Sequence, residues 1–406
     1  MIFWDALFSE RAKAIKGSAI RELLKLVTQP DIISFGGGLP DPKLFPVEKL
    51  KECADYVLET EPEQALQYGT TEGVPALRSL LAERAKKQGI NCTPENIIVV
   101  ASSQQALDLV AKVLLDPGDV VYVEAPSYIG AIQAFGAFQA HMVPIAMDDE
   151  GMRVDILESR IKTLSVPGKQ AKMIYTVPSF QNPAGVTMSL ERRLQLLEVS
   201  TKYNIPIVED APYHQLRFEG DPIPPIASLD SNGRVVYLET FSKILSPGLR
   251  LGWIIGPEDF VRKVVLAKQA TDLCTSPLTQ FIALEFTKRG YIEPHVEVLK
   301  REYKKKKDGM LNALDEFFPK EARWTKPQGG LFLWVELPKG FDTTEMLKEA
   351  LEAKVAYVSG TGFYPNGGGE NCMRLNFSYS SPETNREGIR RLAEIVKKKL
   401  ATIHSR

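Results

Sequence analysis

Between residues 97 and 256 the chain alternates short β-rich runs with helical patterns, and this alternation restricts the fold more than any other feature. The strand candidates are IIVVA (97–101), VVYVE (120–124), KMIYTV (172–177), IPIVED (205–210), VVYLE (235–239) and GWIIG (252–256). Helical patterns at 104–114, 128–138 and 189–203 fall between them. Joins such as DPGD (116–119) and FQNPAG (180–185) carry turn residues. Strands bounded by helices call for an α/β layer with a mostly parallel sheet, because parallel neighbours need a crossover.

The character changes near residue 291. YIEPHVEVLKREYKKKKDGMLNALDEFF reads as one long helix, and its KKKK (304–307) is expected on a solvated face. Strand candidates LFLWVEL (331–337) and MRLNFS (373–378) and a closing helix at 382–400 follow. The expected division is an arm and helix over 1–45 that packs with the small domain, a large domain over 46–292, and a small α+β domain over 293–406. A formal net charge of -1 offers no basic field for nucleic acid, and no apolar run reaches the roughly 18 residues of a membrane span. The N-terminus has acidic residues and no basic start, unlike a targeting segment. Cys53, Cys92, Cys274 and Cys372 are scattered, as are the four histidines, so a metal site is not expected and a reduced, cytoplasmic location is.

The chemistry concentrates in TFSKILSPGLRLGW (240–253), where Lys243 sits in a Ser-Pro-Gly turn ahead of a buried strand. A lysine amine held there with a lowered pKa can form a Schiff base with a carbonyl. Thr240, Ser242 and Arg250 supply hydroxyls and a guanidinium fork suited to a phosphate, so pyridoxal phosphate fits as the aldehyde. Asp210 ends a strand, where α/β sheets gather ligands, and can pair with the pyridinium nitrogen. Tyr213 and Asn182 can hold the ring's phenolic oxygen. Ser103 and Gln104 open a helix whose N-terminus can take an anion, and Tyr128 can lie on a planar ring. Arg374, on a strand, either faces solvent or meets a carboxylate, the substrate's or an internal one.

Nine segments in order resemble the fold-type I pyridoxal-phosphate aminotransferases: SFGGGLPDPKLFP, LQYGTTEG, SSQQALDL, PSYIGA, PSFQNPAG, VEDAPY, TFSKILSPGLRLGW, PQGGLFLWVELP and NGGGENCMRLNFS. They look closest to the α-aminoadipate (LysN-like) and kynurenine/aminoadipate subgroup. The resemblance implies a three-layer α/β sandwich with a smaller α+β domain. It implies that Lys243 bonds the cofactor and moves the substrate Cα proton, that Asp210 pairs with the ring nitrogen, and that Asn182 and Tyr213 hold the phenolic oxygen. Tyr128 then stacks on the ring, while Ser103, Gln104, Thr240, Ser242 and Arg250 hold the phosphate. Tyr68 reaches the phosphate from a partner subunit, so a homodimer is implied. Arg374 clamps the substrate α-carboxylate, with backbone near Gly38 closing over it, and Arg21 in SAIRELLKLV meets a distal carboxylate. The expected reaction is ping-pong transfer between an amino acid of the 2-aminoadipate or glutamate type and 2-oxoglutarate. The alternatives are a broad aromatic/branched-chain aminotransferase and a β-lyase on the same fold.

Overall fold

The computed structural model describes residues 2–14, 31–164 and 169–404. In chain order the central layer runs β1 (Ile97–Val100), α1 (Ser103–Leu114), β2 (Val120–Ala125), α2 (Ile129–Ala137), β3 (His141–Asp148) and β4 (Gly151–Met152). It continues with β5 (Ala171–Thr176), α3 (Leu190–Tyr203), β6 (Ile207–Asp210), β7 (Val235–Thr240) and β8 (Gly252–Ile255). These strands form one sheet in the order β1-β8-β7-β6-β5-β2-β3-β4. The pairs from β7 through β3 are parallel, while β8 runs antiparallel to both its neighbours.

Strand alternation sorts the core onto two faces. Val121, Val123, Tyr175, Val208 and Leu238 pack on one face with α1 and α2. Tyr122, Ile174, Ile207 and Val235 pack on the other with α3. Each fully buried apolar side chain contributes about 1.5–3 kcal/mol, and a one-residue slip of register would exchange the two sets and mispack both faces.

The sequence pattern did not mark β3. Pro144 interrupts HMVPIAMD, and proline normally demotes a run to an edge. Here Pro144 pairs with Val123 on one side, and on the other β4 reaches only Met147 and Asp148. The prolyl residue thus sits where that side of the strand is locally an edge.

Past the central layer, α4 (Ile292–Phe317) is the expected long helix. It packs on α5 (Pro382–His404), and the same part of the chain forms a second sheet of β9 (Arg323–Trp324), β10 (Phe332–Glu336), β11 (Val358–Ser359) and β12 (Cys372–Asn376), in the order β9-β10-β12-β11. One expectation on α4 fails. Lys306 and Lys307 of the KKKK run are buried, not solvated. Lys306 Nζ donates to Asp41 Oδ2 at 2.5 Å and to the Ser378 carbonyl at 2.8 Å. Lys307 Nζ donates to Glu219 Oε2 at 2.9 Å. A helix turns about 100° per residue, so four consecutive lysines cannot share one face, and two of these are buried against a carbonyl and carboxylates.

The arm divides its contacts. Ile33–Ser34 pairs in parallel with Val355–Ala356 beside α5, whereas residues 10–14 lie against α2, with Arg11 over the Phe138 ring. The segment expected to form the arm's main helix, SAIRELLKLV, lies outside the described residues.

Candidate active site

The strand order reverses between β2 and β5: the chain proceeds outward through β3 on one side and through β6 and β7 on the other. Such a switch point leaves a crevice at the carboxyl ends of the strands. A cavity of about 430 Å³ lies there, lined by residues that follow β1, β2, β5, β6 and β7.

Lys243 is in the turn after β7, and its Nζ donates to the Gly38 carbonyl at 2.8 Å. Burial, with the nearby charges of Arg374 and Arg250, lowers its pKa to about 8. The amine is therefore readily available as a base or nucleophile near neutral pH.

Asp210 closes β6 and is buried. Burial raises its carboxyl pKa to about 7; the hydrogen bond from Tyr175 opposes that rise and the Glu124 carboxylate adds to it. Tyr175 donates to Oδ2 at 2.9 Å, while Oδ1 is buried without a hydrogen-bond partner. A buried, unpaired carboxylate oxygen lining a cavity is an acceptor awaiting a donor. Asn182 lies on the loop after β5. Its Nδ2 donates to the Tyr213 hydroxyl at 3.1 Å, and its Oδ1 accepts from Arg374 Nη1 at 2.9 Å. Burial pushes the Tyr213 phenol up, so it keeps its proton at neutral pH.

The opposite end of the cavity gathers anion-binding groups. Ser102, with φ of 82°, turns the chain from β1 into α1, so the N–H groups of Ser103 and Gln104 begin the helix. The first N–H groups of a helix have no intrahelical acceptor. Arg250 Nη2 donates to Ser102 Oγ at 2.5 Å. Thr240 Oγ1 lies 2.8 Å from Ser242 Oγ and 2.7 Å from the Leu251 carbonyl, which commits its proton within the turn. Position 252 must be glycine: a Cβ there would sit 2.9 Å from Ser103 N and from the Glu239 carbonyl oxygen.

Arg374 is on β12, opposite Trp334 of β10 and Val358 of β11. It is neither solvated nor in an internal salt bridge among the described residues. Nη2 donates to the Gly36 carbonyl at 2.7 Å, Nε is unpartnered, and the guanidinium lies 4.3 Å from the Phe332 ring centroid. Burial lowers its pKa to about 10, so it remains a cation at neutral pH. Tyr128 begins α2 with its hydroxyl 3.2 Å from Gln104 Oε1.

The cavity thus brings together Gly38, Ser103, Gln104, Tyr128, Asn182, Asp210, Tyr213, Thr240, Ser242, Lys243, Arg250 and Arg374. Tyr68 is not among them. It is 79 % exposed beside a separate surface groove containing Pro75, Pro277 and Phe281. Arg21 lies outside the described residues. Sequence reasoning offered Ser102 only as a possible helix cap, and it missed Tyr175 and a buried network in which Thr176, Val177 N–H and Gln181 all donate to Glu124, fixing the loop that carries Asn182. Glu124 had a signal, an acid ending a buried strand, as Asp210 does; Tyr175 had none, being one more aromatic in a buried run.

The chain is similar to known proteins. The family model described as "Aminotransferase class I and II" matches residues 30–392. The aromatic-amino-acid aminotransferase 1 of Thermococcus litoralis is 49 % identical over 98 % of this chain and 95 % of its own. The 2-aminoadipate transaminase of Thermus thermophilus is 42 % identical over 98 % and 99 %. Among solved structures, LysN, the α-aminoadipate aminotransferase of Thermus thermophilus complexed with N-(5'-phosphopyridoxyl)-L-leucine, superposes with a TM-score of 0.92 at 41 % identity, covering 99 % of this chain and 100 % of that one.

Proposed function

This chain belongs to the class I and II aminotransferases, and on that premise we propose that it transfers the amino group of 2-aminoadipate- or glutamate-type donors, and of aromatic and branched-chain donors, to 2-oxoglutarate in two ping-pong half-reactions. The enzyme is a pyridoxal-phosphate transaminase of fold type I, in the subgroup of the aminoadipate and kynurenine/aminoadipate enzymes. One observation carries the substrate reading: Lys243 and Arg374, two cations without a carboxylate partner among the described residues, meet at one cavity. A buried guanidinium with an unused Nε–H suits an incoming carboxylate, and the adjacent amine suits proton removal.

The residues present fit the cofactor. The partnerless Asp210 Oδ1 suits a protonated ring nitrogen, the Asn182–Tyr213 pair suits a phenolic oxygen, and the Ser103–Gln104 helix start with Ser102, Ser242 and Arg250 suits a phosphate. When bound, pyridoxal phosphate supplies the carbonyl carbon that takes the amino group and the ring that delocalises the electron pair left on Cα. The protein orients and moves protons. Arg374 holds the α-carboxylate, which sets the Cα–H bond for cleavage, and Lys243 Nζ takes that proton. Tyr128 covers the ring, and the Gly36–Gly38 backbone closes beside both cations. Thr240 acts through Ser242, whose backbone N–H it accepts at 3.1 Å.

Tyr68 acts on the phosphate of a second copy in a homodimer. Its exposure and its separation from its own chain's cavity support that reading. Residues 46–292 form the cofactor domain and 293–406 the small domain, in a cytoplasmic protein whose four cysteines are all free.

A screen of amino donors against 2-oxoglutarate tests the reaction; absence of glutamate formation with every dicarboxylic, aromatic and branched donor overturns it. Arg21→Ala is expected to lower the kcat/KM ratio of 2-aminoadipate to phenylalanine by ~10- to 100-fold, the worth of a charged hydrogen bond. An unchanged ratio removes Arg21 from the substrate site. In the cofactor-free protein only the unprotonated amine attacks an aldehyde. With Lys243 near 8, its capture rate for pyridoxal phosphate should fall about tenfold per pH unit below pH 8 and level off above it. A profile that keeps rising past pH 10 would show an ordinary lysine.

A further inference from the structure

Tyr175 and Asp210 lie on neighbouring parallel strands, with Tyr175 in register with Val208 and Asp210 two residues further along the same face. Tyr175 is fully buried, its ring edge-on to Phe135 at 5.3 Å, so packing fixes where its hydroxyl points. That hydroxyl donates to Asp210 Oδ2 at 2.9 Å, and Oδ1 has no partner.

We propose that Tyr175 is a positioning residue for the cofactor ring: its hydroxyl pins Oδ2 of Asp210, holds that carboxyl group as an anion, and leaves Oδ1 to accept from the protonated ring nitrogen. The proposal rests on the reading that Asp210 faces that nitrogen.

The reasoning is electrostatic. In a dry site a carboxyl group beside a pyridine nitrogen can share one proton in two ways, as carboxylate with pyridinium or as carboxylic acid with pyridine. Burial favours the neutral pair. A hydroxyl donating to the other carboxylate oxygen favours the charged pair. Tyr175 is suited to this because burial and the adjacent Asp210 push its phenol well above its ordinary value, so it donates throughout the working pH range. Glu124 works in the opposite direction by raising Asp210. Tyr175 thus supports the electron-withdrawing state of the ring without touching it.

The test compares the wild-type holoenzyme with Tyr175→Phe and Asp210→Asn, each loaded with pyridoxal phosphate isotope-labelled at the ring nitrogen. The nuclear magnetic resonance shift of that nitrogen reports whether it carries a proton. Tyr175→Phe keeps the ring against Phe135 and is expected to move the signal toward the unprotonated position. It should lower kcat by ~10- to 100-fold with little change in KM, since one hydrogen bond to a charge is lost. The cofactor-free protein gives a second measurement. The infrared carboxyl band assigned by Asp210→Asn should titrate at higher pH in Tyr175→Phe than in wild type. If Asp210→Asn moves the nitrogen signal and Tyr175→Phe leaves both readouts at wild-type values, the role of Tyr175 is overturned and the Asp210 reading stands. If Asp210→Asn leaves the nitrogen signal unchanged, the Asp210 reading falls, and this proposal with it.

Discussion

Lys243→Ala is expected to lower kcat by ~10⁴-fold or more, the upper range for a positioned general base. It should leave the fold intact and the cofactor bound only noncovalently. The loss comes from the amine itself and not from its charge. Lys243→Arg keeps a cation in the turn, but a guanidinium stays protonated and cannot take the Cα proton, so it should be as inactive. Two measurements check this: single-turnover transamination, and borohydride trapping followed by mass spectrometry of the peptide containing residue 243. A wild-type rate in either variant, or an adduct on another lysine, would remove Lys243 from the mechanism. The surrounding geometry makes the effect local. Nζ makes one hydrogen bond, to the Gly38 carbonyl, so truncation leaves one backbone acceptor to be met by water and disturbs no ion pair among the described residues.

The second large effect belongs to Arg374. Removing a buried charged group that binds a carboxylate costs about 2–5 kcal/mol, so Arg374→Gln should lower kcat/KM by ~30- to 5,000-fold. Arg374→Lys should fall in the same range, because an ammonium cannot reproduce the planar fork that donates to Asn182 and Gly36 while facing a ligand. Every amino donor carries the α-carboxylate, so the loss should be equal for dicarboxylic, aromatic and branched donors. This uniformity separates Arg374 from Arg21, whose removal should discriminate among them. Cofactor affinity should change little. A loss confined to one class of donor would place Arg374 at the side-chain end of the site instead.

Much of this arrangement was legible in the residues because it rests on local chemistry. Short β-rich runs separated by helical patterns specified the parallel layer, and the polar residues that close each run fell at the strand ends, where ligands collect. Lys243, Asp210 and Asn182 were visible for that reason: each breaks the character of its surroundings just where a buried strand stops. Other features were not legible. Pro144 hid β3, because whether a proline is tolerated depends on which side of the strand has a neighbour. The lysine run at 304–307 looked solvated because a charge run carries no mark of what packs against it. Its two buried members were decided by Asp41, Glu219 and the Ser378 carbonyl, all more than 70 residues away in the chain.

Apart from β3, the amino-acid sequence by itself determined the strands of the central layer and the helices between them, and which reactive side chains stand at their ends. Both follow from short-range periodicity and turn chemistry. Only the tertiary structure decided that Tyr175 meets Asp210, that Glu124 anchors the Asn182 loop, and that Arg374 is a buried cation without a carboxylate among the described residues. Those are outcomes of packing between distant segments. A side chain's partners and its dielectric surroundings come from the strands and loops laid against it, and these set both its charge state and its use.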